Sequence, residues 1–377
     1  MIPPALPPAK PLADTPRIVQ PAAQQAFFGS VVAVVPNGTE YAVLLVDGHR
    51  KIVKVVHRRR VRLQPTLPRR DVTLRLVAVG RDGRRHTSAP VGPVLALPAP
   101  AAPRLTPSIE DPALRRRIRA LARQFRGTAG IYVQDLVTGK GAAWNARARF
   151  PAASTLKLAI AVEVMRGLAG PPASGSSVDA LMRSMLVHSD NRAANQLEVA
   201  VGGSTSGGSA KVNAMMRSVG LVDSEMYGGY ETEPRTVERA IPITSESQPS
   251  ISRTKFSTAW DLGRLVRFVH LAAGGRGPLV RRISGFSPAE ARYLLYLLAH
   301  VADHGKLDRF LPGNAVVAHK AGWIATARHD NGLVYWPGGA FVATVMAWSP
   351  SGVGSSADVL AGRVARAALD RFRALAG

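Results

Sequence analysis

Cysteine is absent from this sequence of 377 residues. Disulfide bonds, thiolate zinc sites and cysteine nucleophiles are therefore excluded. Aromatic residues are few, and no apolar run reaches the roughly 18 residues that a membrane-spanning helix needs. The histidines and carboxylates show no spacing typical of metal ligands. We therefore expect no metal, no cofactor and no membrane span.

Lysine is also scarce, although the chain is strongly basic. Nine lysines and forty arginines oppose 25 acidic residues, which gives a formal net charge of +24. The arginines are scattered rather than interleaved with aromatic residues, so platforms for stacking nucleic-acid bases are not expected. We interpret the charge as a solvated basic surface and predict no nucleic-acid partner. Such a surface would still attract anionic cell-wall polymers or lipid head groups.

The start of the chain is rich in proline. Seven prolines fall within the first 21 positions, and no apolar core typical of a signal peptide is present. This composition predicts an extended or disordered lead-in over residues 1–24. The compartment stays open between the cytoplasm and export. We expect an extracytoplasmic protein whose signal peptide is absent from this chain.

Residues 25–97 have the pattern of a small all-β domain. Short β-branched runs are separated by Asp47-Gly48 and Asp82-Gly83, which are typical hairpin turns. Strands at this spacing favour a small sandwich of immunoglobulin-like type. The segment PAPAAPRLTP, residues 98–107, then predicts a stiff linker to a second domain.

The pattern changes over residues 108–377. A helical stripe comes first and is followed by two strands that turn at Thr138-Gly139. A mostly helical block over residues 151–310, three strands and a closing helix complete the chain. This order favours an α+β domain, in which helices pack on an antiparallel sheet beside an all-helical block.

The segment FPAASTLKLAIAVEVM places Ser154 three residues before Lys157, at the start of an apolar helix. Residues i and i+3 share a helix face, so the hydroxyl and the amine would be neighbours. Burial disfavours the ammonium form, and we expect the pKa of Lys157 to be lowered. The neutral amine could then accept the serine proton, which an arginine could not do. The alternative is a helix-capping Ser154 and a Lys157 that reaches the surface.

The same four-residue pattern occurs a second time, as Ser252-Arg-Thr-Lys255. About 0.6 matches are expected by chance in a chain of this composition. The second match precedes Thr258 and Asp261, which together form a helix-capping pattern. That pattern explains its surroundings, so we favour the first match, which an apolar helix follows.

Two further short motifs follow the first match. Ser-Asp-Asn at residues 189–191 has about 0.02 expected chance occurrences. Lys-Ala-Gly at residues 320–322 ends an apolar strand. The order Ser-x-x-Lys, Ser-Asp-Asn, Lys-x-Gly is that of class A β-lactamases and penicillin-binding proteins. Residues 108–377 therefore resemble the class A β-lactamase-like serine hydrolases, and the resemblance does not extend to residues 1–107.

The resemblance implies a set of catalytic roles. Ser154 would be the nucleophile that forms an acyl-enzyme, and Lys157 would be its base or proton shuttle. Ser189 would relay a proton to the leaving nitrogen with the help of Lys320. Asn191 would hold Lys157 and contact the substrate amide.

The resemblance also implies a set of substrate-binding roles. Lys320 would supply positive potential for a substrate carboxylate, and Arg328 is a further candidate for that contact. The backbone N–H groups of Ser154 and Trp323 would form the oxyanion hole. Gly322 would let the substrate backbone lie against the strand edge.

Some positions depart from the family pattern. Ala321 stands where the family usually has a hydroxyl residue that contacts the substrate carboxylate. The best candidate for the deacylating glutamate is Glu233, with Glu231 as a rival and a solvated loop glutamate as the alternative. His188 and His319 adjoin two motifs, and we interpret them as packing around the site.

We therefore predict a β-lactamase-related serine hydrolase that acts through an acyl-enzyme on Ser154. One alternative is a cell-wall peptide or ester hydrolase that is slow on β-lactams. Another is a catalytically weak wall-binding protein. The expected partner is a small-molecule or peptidoglycan-type substrate, and we expect a monomer.

Overall fold

The computed structural model describes residues 15–231 and 255–376. The chain divides into two compact units, with the boundary between Ala99 and Pro100. Within the described ranges, no helix is both long enough and apolar enough to cross a membrane.

The first unit is built from short β-strands. The strands are β1 (Arg17–Gln20), β2 (Gln25–Phe28), β3 (Val31–Val34), β4 (Thr39–Val46), β5 (His49–Val55), β6 (Arg60–Leu63), β7 (Asp71–Gly80), β8 (Arg85–Thr87) and β9 (Val91–Leu97). The two predicted hairpin turns join β4 to β5 and β7 to β8. Asp47 and Gly48 have φ angles of 49° and 83°, the left-handed backbone that this tight turn requires.

Two sheets of the first unit share one core. The smaller sheet has the order β1-β3-β6, and the larger has the order β2-β9-β7-β4-β5, with β8 paired to β7. Val31 and Val61 of the smaller sheet pack in one cluster with Phe27, Leu44 and Leu74 of the larger. The unit is thus an all-β structure of two sheets, and its immunoglobulin-like type stays a prediction.

Strand β1 lies inside the segment 1–24 that composition predicted as an extended or disordered lead-in. It pairs with β3, with Ile18 opposite Ala33. Ile18 also packs against the core cluster. The predicted lead-in is therefore wrong for residues 17–20, because an apolar side chain there draws the chain into the smaller sheet.

The second unit mixes helices and strands. Its strands are β10 (Ile109–Glu110), β11 (Thr128–Asp135), β12 (Lys140–Trp144), β13 (Arg149–Pro151), β14 (Phe256–Thr258), β15 (Val316–Ile324), β16 (Ala327–Trp336) and β17 (Gly339–Trp348). Its α-helices are α1 (Pro112–Gln124), α2 (Lys157–Arg166), α3 (Ser177–Val187), α4 (Asn191–Gly202), α5 (Thr205–Ser218), α6 (Ala259–Ala273), α7 (Gly277–Arg282), α8 (Pro288–Leu298) and α9 (Ser355–Ala376).

A six-stranded sheet organises this unit, in the order β10-β12-β11-β17-β16-β15. Its pairs are antiparallel except for the short parallel pair β10–β12. Helices α1 and α9 cover one face, where Ile131 and Val133 pack with Leu360 and Val364. Helix α6 covers the other face so closely that a Cβ on Gly263 would lie 2.4 Å from the Tyr132 ring. The predicted α+β architecture is confirmed.

The proline-rich segment predicted as a linker is attached to the second unit over part of its length. Ala101 is buried. Arg276 donates to the carbonyl of Pro103 at 2.7 Å, and Arg267 donates to that of Thr106 at 2.8 Å. The hydrogen bonds from Arg267 of α6 and from Arg276, directly before α7, therefore fix this stretch against the second unit.

Candidate active site

Ser154 lies on a 3-10 helix, Ala153–Leu156, that runs directly into α2. The preceding residue, Ala153, has a φ of 47°, which is unfavourable for a residue with a Cβ. Backbone strain of this kind tends to occur at functional sites, where the surrounding structure enforces it. The turn leaves Ser154 partly exposed while Thr155 and Leu156 are buried.

Lys157 is fully buried at the first turn of α2. Its Nζ donates to the backbone carbonyl of Ser189 at 2.5 Å and to Asn191 Oδ1 at 2.6 Å. Desolvation, followed by repulsion from Lys320, lowers the pKa of Lys157 to about 7. The alternative of a surface-reaching lysine is therefore wrong, because the whole residue is buried.

The two acceptors around Lys157 match the needs of a neutral amine. A neutral amine has two N–H donors and one lone pair, whereas an ammonium has three donors. The carbonyl of Ser189 and the side chain of Asn191 take two donors. The structure describes no hydrogen bond between Lys157 and the Ser154 hydroxyl. In the neutral form the remaining lone pair is available to a proton from a hydroxyl one helical turn away.

Ser189 connects the second motif to the third. Its φ is 60°, and it lies between α3 and α4, just before Asp190 caps α4 through a 2.6 Å bond from Ala193 N. Lys320 Nζ donates to Ser189 Oγ at 2.9 Å and to the carbonyl of Ala321 at 2.9 Å. Burial lowers the pKa of Lys320 to about 8.

Strand β15 approaches the serine turn at Gly322. A Cβ built on Gly322 would lie 2.7 Å from Ser154 N and 2.9 Å from Thr155 N. No side chain fits there, so glycine is required by close approach of two backbones. The next residue, Trp323, keeps 64% of its side chain exposed. The third motif is therefore in direct contact with the first.

Other predicted residues lie outside this cluster. Arg328 Nε donates to Asp358 Oδ1 of α9 at 2.8 Å, so its guanidinium is engaged with a structural carboxylate. Glu233 lies outside the described residues. Glu231 is exposed, with a φ of 63°, and its charge acts to raise the pKa of Lys157.

The two histidines beside the motifs differ from each other. His319 is buried, and its Nδ1 lies 2.8 Å from Asp330 Oδ1, on the neighbouring strand β16. Burial lowers the pKa of His319, but the charge and hydrogen bond of Asp330, together with the charge of Asp308, outweigh burial, so the pKa is raised. His188 is exposed at the end of α3, so the packing role predicted for it is wrong.

A cavity of about 620 Å³ lies between α1 and α9. Its lining includes Leu114, Arg117, Phe310 and Arg363 but none of the motif residues. We identify the candidate site by the convergence of chemical groups, because volume alone does not distinguish a reactive site from a groove between helices. Within the described residues, no group of three or more potential metal ligands occurs.

A comparison with protein-family models matches residues 113–171 and 169–372 to the family described as "Beta-lactamase enzyme family". The matched residues make up more than half of the chain and contain all three motifs. The chain belongs to the beta-lactamase enzyme family. It is accordingly a serine hydrolase of the β-lactamase type, as the sequence predicted.

Individual relatives of this β-lactamase-family protein are distant. A β-lactamase of Streptomyces fradiae is 27% identical over 271 residues, which span 64% of this chain and 78% of that protein. A β-lactamase of Streptomyces lavendulae is 24% identical over 292 residues, spanning 70% of this chain and 84% of that protein.

Solved structures show the same fold at low identity. PBP-A superposes with a TM-score of 0.57 at 21% identity, covering 72% of this chain and all of PBP-A. A β-lactamase from Sphaerobacter thermophilus gives a TM-score of 0.53 at 21% identity, covering 69% of this chain and 98% of that one. Such coverage leaves room for a unit that these neighbours lack.

The sequence analysis missed the role of another buried lysine. Lys255 is only 6% exposed, and its Nζ donates to the carbonyls of Tyr227 at 3.1 Å and Gly229 at 2.9 Å. Its amine lies 4.3 Å from the centre of the Tyr230 ring, and the amine of Lys157 lies 4.7 Å from the same centre. The amines of two lysines therefore lie over one aromatic ring.

Tyr230 is held in place from several sides. Asn195 Oδ1 accepts from Tyr230 N at 2.7 Å, and Asn195 Nδ2 donates to the Tyr230 carbonyl at 3.0 Å. The Tyr230 hydroxyl donates to the Ala153 carbonyl at 3.4 Å, next to the serine. Lys255 is thus a positioning residue for a ring that packs against Lys157, and its charge also lowers the pKa of Lys157.

Replacing Lys255 with methionine should raise the pKa of Lys157 above its value of about 7. The charges acting on Lys157 are those of Lys320 and Lys255, which lower its pKa, and of Asp190 and Glu231, which raise it. Lys255→Met removes one repulsive charge at nearly constant volume. NMR titration of ¹³Cε-labelled lysines measures the midpoint directly.

Lys211→Met is the matched control, because Lys211 is an exposed lysine that donates to a backbone carbonyl. It should leave the midpoint of Lys157 unchanged. An unchanged midpoint in a folded Lys255→Met protein would contradict the electrostatic role of Lys255.

Proposed function

We propose that β-lactams acylate this protein at Ser154 and that the acyl-enzyme is then hydrolysed. One observation carries the proposal. Three segments far apart in sequence meet around two buried amines, where Lys157 holds Ser189 and Asn191 and Lys320 holds the Ser189 hydroxyl. A solved PBP-A variant is an acyl-enzyme complex with penicillin G, which supports the same chemistry on this fold.

The acylation step assigns each group a role. Ser154 Oγ attacks the lactam carbonyl carbon, and its proton passes to the neutral amine of Lys157. The C–N bond then breaks, and the nitrogen receives a proton from Ser189 Oγ, beside the Lys320 cation. The ammonium of Lys157 passes the proton that it took from Ser154 to Ser189 Oγ, so that Ser189 and Lys157 return to their starting forms. The backbone N–H groups of Ser154 and Trp323 stabilise the oxyanion. The atoms balance as an ester on Ser154 and a free amine in the opened ring.

The natural substrate is a separate question, for which Ala321 is informative. Ala321 is buried beside Lys320 and lacks a hydroxyl for a substrate carboxylate. Arg328, the other predicted carboxylate contact, is occupied by Asp358. This loss favours, as a second candidate, a cell-wall peptide or ester hydrolase that is slow on β-lactams.

Several finer assignments belong to the proposal as well. We propose an immunoglobulin-like type for the first unit, an accessory role for it, and an extracytoplasmic location. We also propose a peptidoglycan-type substrate and a monomeric state, as expected from the sequence. The second unit as the hydrolase domain, opening at Pro100, completes this assignment.

Incubation with a fluorescent penicillin should give a mass adduct on the peptide that contains Ser154. Ser154→Ala should abolish the adduct, because no other hydroxyl lies one helical turn from Lys157 with the same geometry. Ser356→Ala, an exposed serine of α9, should label like the parent protein. An adduct that survives Ser154→Ala would show that the nucleophile lies elsewhere.

The acylation rate should follow a bell-shaped pH profile. The base must be neutral, so the rate should fall as pH drops below the pKa of Lys157, about 7. The cation must be charged, so the rate should fall again as pH rises above the pKa of Lys320, about 8. The two groups repel each other, so the limbs report values of the pair. Stopped-flow acylation between pH 5 and pH 10 would measure both limbs, and a flat acid limb would contradict the role of Lys157.

Deacylation distinguishes the two candidate glutamates. Glu233 is the predicted deacylating base, so we expect Glu233→Gln to slow hydrolysis of the acyl-enzyme by about tenfold or more. Glu231→Gln is the paired variant, because the charge of Glu231 acts on Lys157, and it should have the smaller effect. Decay of the penicilloyl adduct, followed by intact-protein mass spectrometry, measures both rates. A large effect of Glu231→Gln alone would assign deacylation to the rival glutamate.

A further inference from the structure

The first unit has one strongly basic edge, formed by neighbouring parts of β5 and β6. Its cations are Arg50, Lys51, Lys54, Arg58, Arg59, Arg60 and Arg62, and all of them are exposed. Residues 48–70 contain no acidic residue. We call this surface the basic edge.

The basic edge is continuous because it joins the ends of two sheets. Strand β5 ends the order of the larger sheet, and β6 ends that of the smaller sheet. Lys54 Nζ donates across this border to the carbonyl of Arg62 at 2.9 Å. Arg59 Nε donates to the carbonyl of Val35 at 3.5 Å, which fixes the β5–β6 connection on the smaller sheet. The cations therefore lie on one surface rather than on separate loops.

Most charges on the basic edge are not neutralised within the protein. Arg50, Lys51, Arg58, Arg60 and Arg62 form no ion pair with any described residue. The nearest acidic residue in sequence, Asp47, is engaged by Arg70 at 2.9 Å and by the backbone of Thr73. Charged side chains on an edge strand protect it from self-association. Seven cations in addition generate a strong local positive potential.

The chemistry of the basic edge favours phosphate. Five of its seven cations are arginines, whose planar guanidinium binds phosphate through two donors at once. Arg60 and Arg62 alternate along β6, so they project from the same face about 7 Å apart. Strand β5 extends the surface by about 20 Å. A row of cations at this spacing suits an extended polymer with regularly repeated charges.

Two other polyanionic partners fit the basic edge less well. Residues 49–64 contain no Phe, Tyr or Trp, so unpaired bases would find no large aromatic stacking platform. A membrane-interface anchor is typically an amphipathic helix with aromatic residues on its apolar face. The basic edge is formed by strands and lacks those residues. A base-free polymer avoids both requirements.

We infer that the basic edge binds a linear, base-free polyphosphodiester and so anchors the chain to an anionic polymer. The binding is electrostatic and not specific for a monomer sequence. It uses the first unit and involves none of the residues around Ser154, so it does not depend on the proposed hydrolase activity.

The test uses the full chain and poly(glycerol phosphate) as the probe. Arg58→Gln, Arg60→Gln and Arg62→Gln are combined in one variant, which removes three exposed charges without breaking an ion pair. Binding to the immobilised polymer should weaken by about tenfold or more at 0.1 M salt. The slope of log affinity against log salt should fall by about two, because roughly 0.7 counterions are released per phosphate contact on a single strand.

The matched control removes three arginines of the second unit, as Arg116→Gln, Arg117→Gln and Arg126→Gln. These residues are exposed, and none is ion-paired with a described residue. The control variant should bind like the parent protein, although its net charge is the same as that of the edge variant. Penicillin labelling of Ser154 is measured in parallel and should be equal in all three proteins.

Four outcomes would overturn the inference. An equal loss of polymer affinity in the edge variant and the control variant would show that binding depends on net charge alone. Tighter binding of the parent protein to oligo(dT) of equal charge, or to phosphatidylglycerol vesicles, would assign it to nucleic acid or to membrane. Absence of binding to poly(glycerol phosphate) at low salt would exclude a polyphosphodiester partner altogether. Selective loss in the edge variant, with unchanged labelling, would support it.

Discussion

The candidate site depends on the burial of one amine. A fully buried lysine is costly as a cation, and the structure resolves this by lowering its pKa to about 7 rather than by placing a carboxylate against it. The amine instead donates to a backbone carbonyl and a side-chain amide. With neutral acceptors, the amine of Lys157 is uncharged in part near neutral pH, and it is still basic enough to accept a proton. A carboxylate in direct contact would favour the ammonium and remove that balance.

The same amine also ties distant elements together. By holding the carbonyl of Ser189 and the side chain of Asn191, Lys157 fixes the α3–α4 connection against α2. That connection includes the strained Ser189, whose hydroxyl then meets Lys320 from β15. Gly322, two residues on, lets β15 reach the backbone of Ser154. Four elements are therefore positioned by contacts that begin at a single buried nitrogen.

Much of this site could be predicted because its signals are local. The Ser154–Lys157 spacing fixes a shared helix face, and the strand period places Lys320 and Gly322 on one face of β15. The sheet and its flanking helices followed from the order of periodic segments. Lys255 could not be found in the same way, since its contacts with Tyr227, Gly229 and Tyr230 join residues far apart in sequence, which periodicity does not report. The capping role of Thr258, which accepts from Asp261 N at 3.0 Å, is real but does not account for Lys255.

Prediction failed where composition and tertiary structure disagree. Prolines around β1 indicated a lead-in, yet Ile18 gains enough by packing on the core to order the strand. Arg328 had the expected strand position, but only the structure shows that the N-terminal part of α9 supplies its partner, Asp358. In both cases the decisive contact comes from a different element. The periodicity of a single segment contains no information about such a contact.

The two units use positive charge in opposite ways. In the second unit, Lys157 and Lys320 are buried, so their interactions are screened little by salt and are set by desolvation. In the first unit, the cations of the basic edge are exposed, and their attraction for an anion falls within about 10 Å at 0.1 M salt. Ionic strength therefore separates the two functions, because it weakens polymer binding while leaving the proton balance at the serine nearly unchanged. A chain with a charge of +24 can thus keep a neutral amine at its reactive centre.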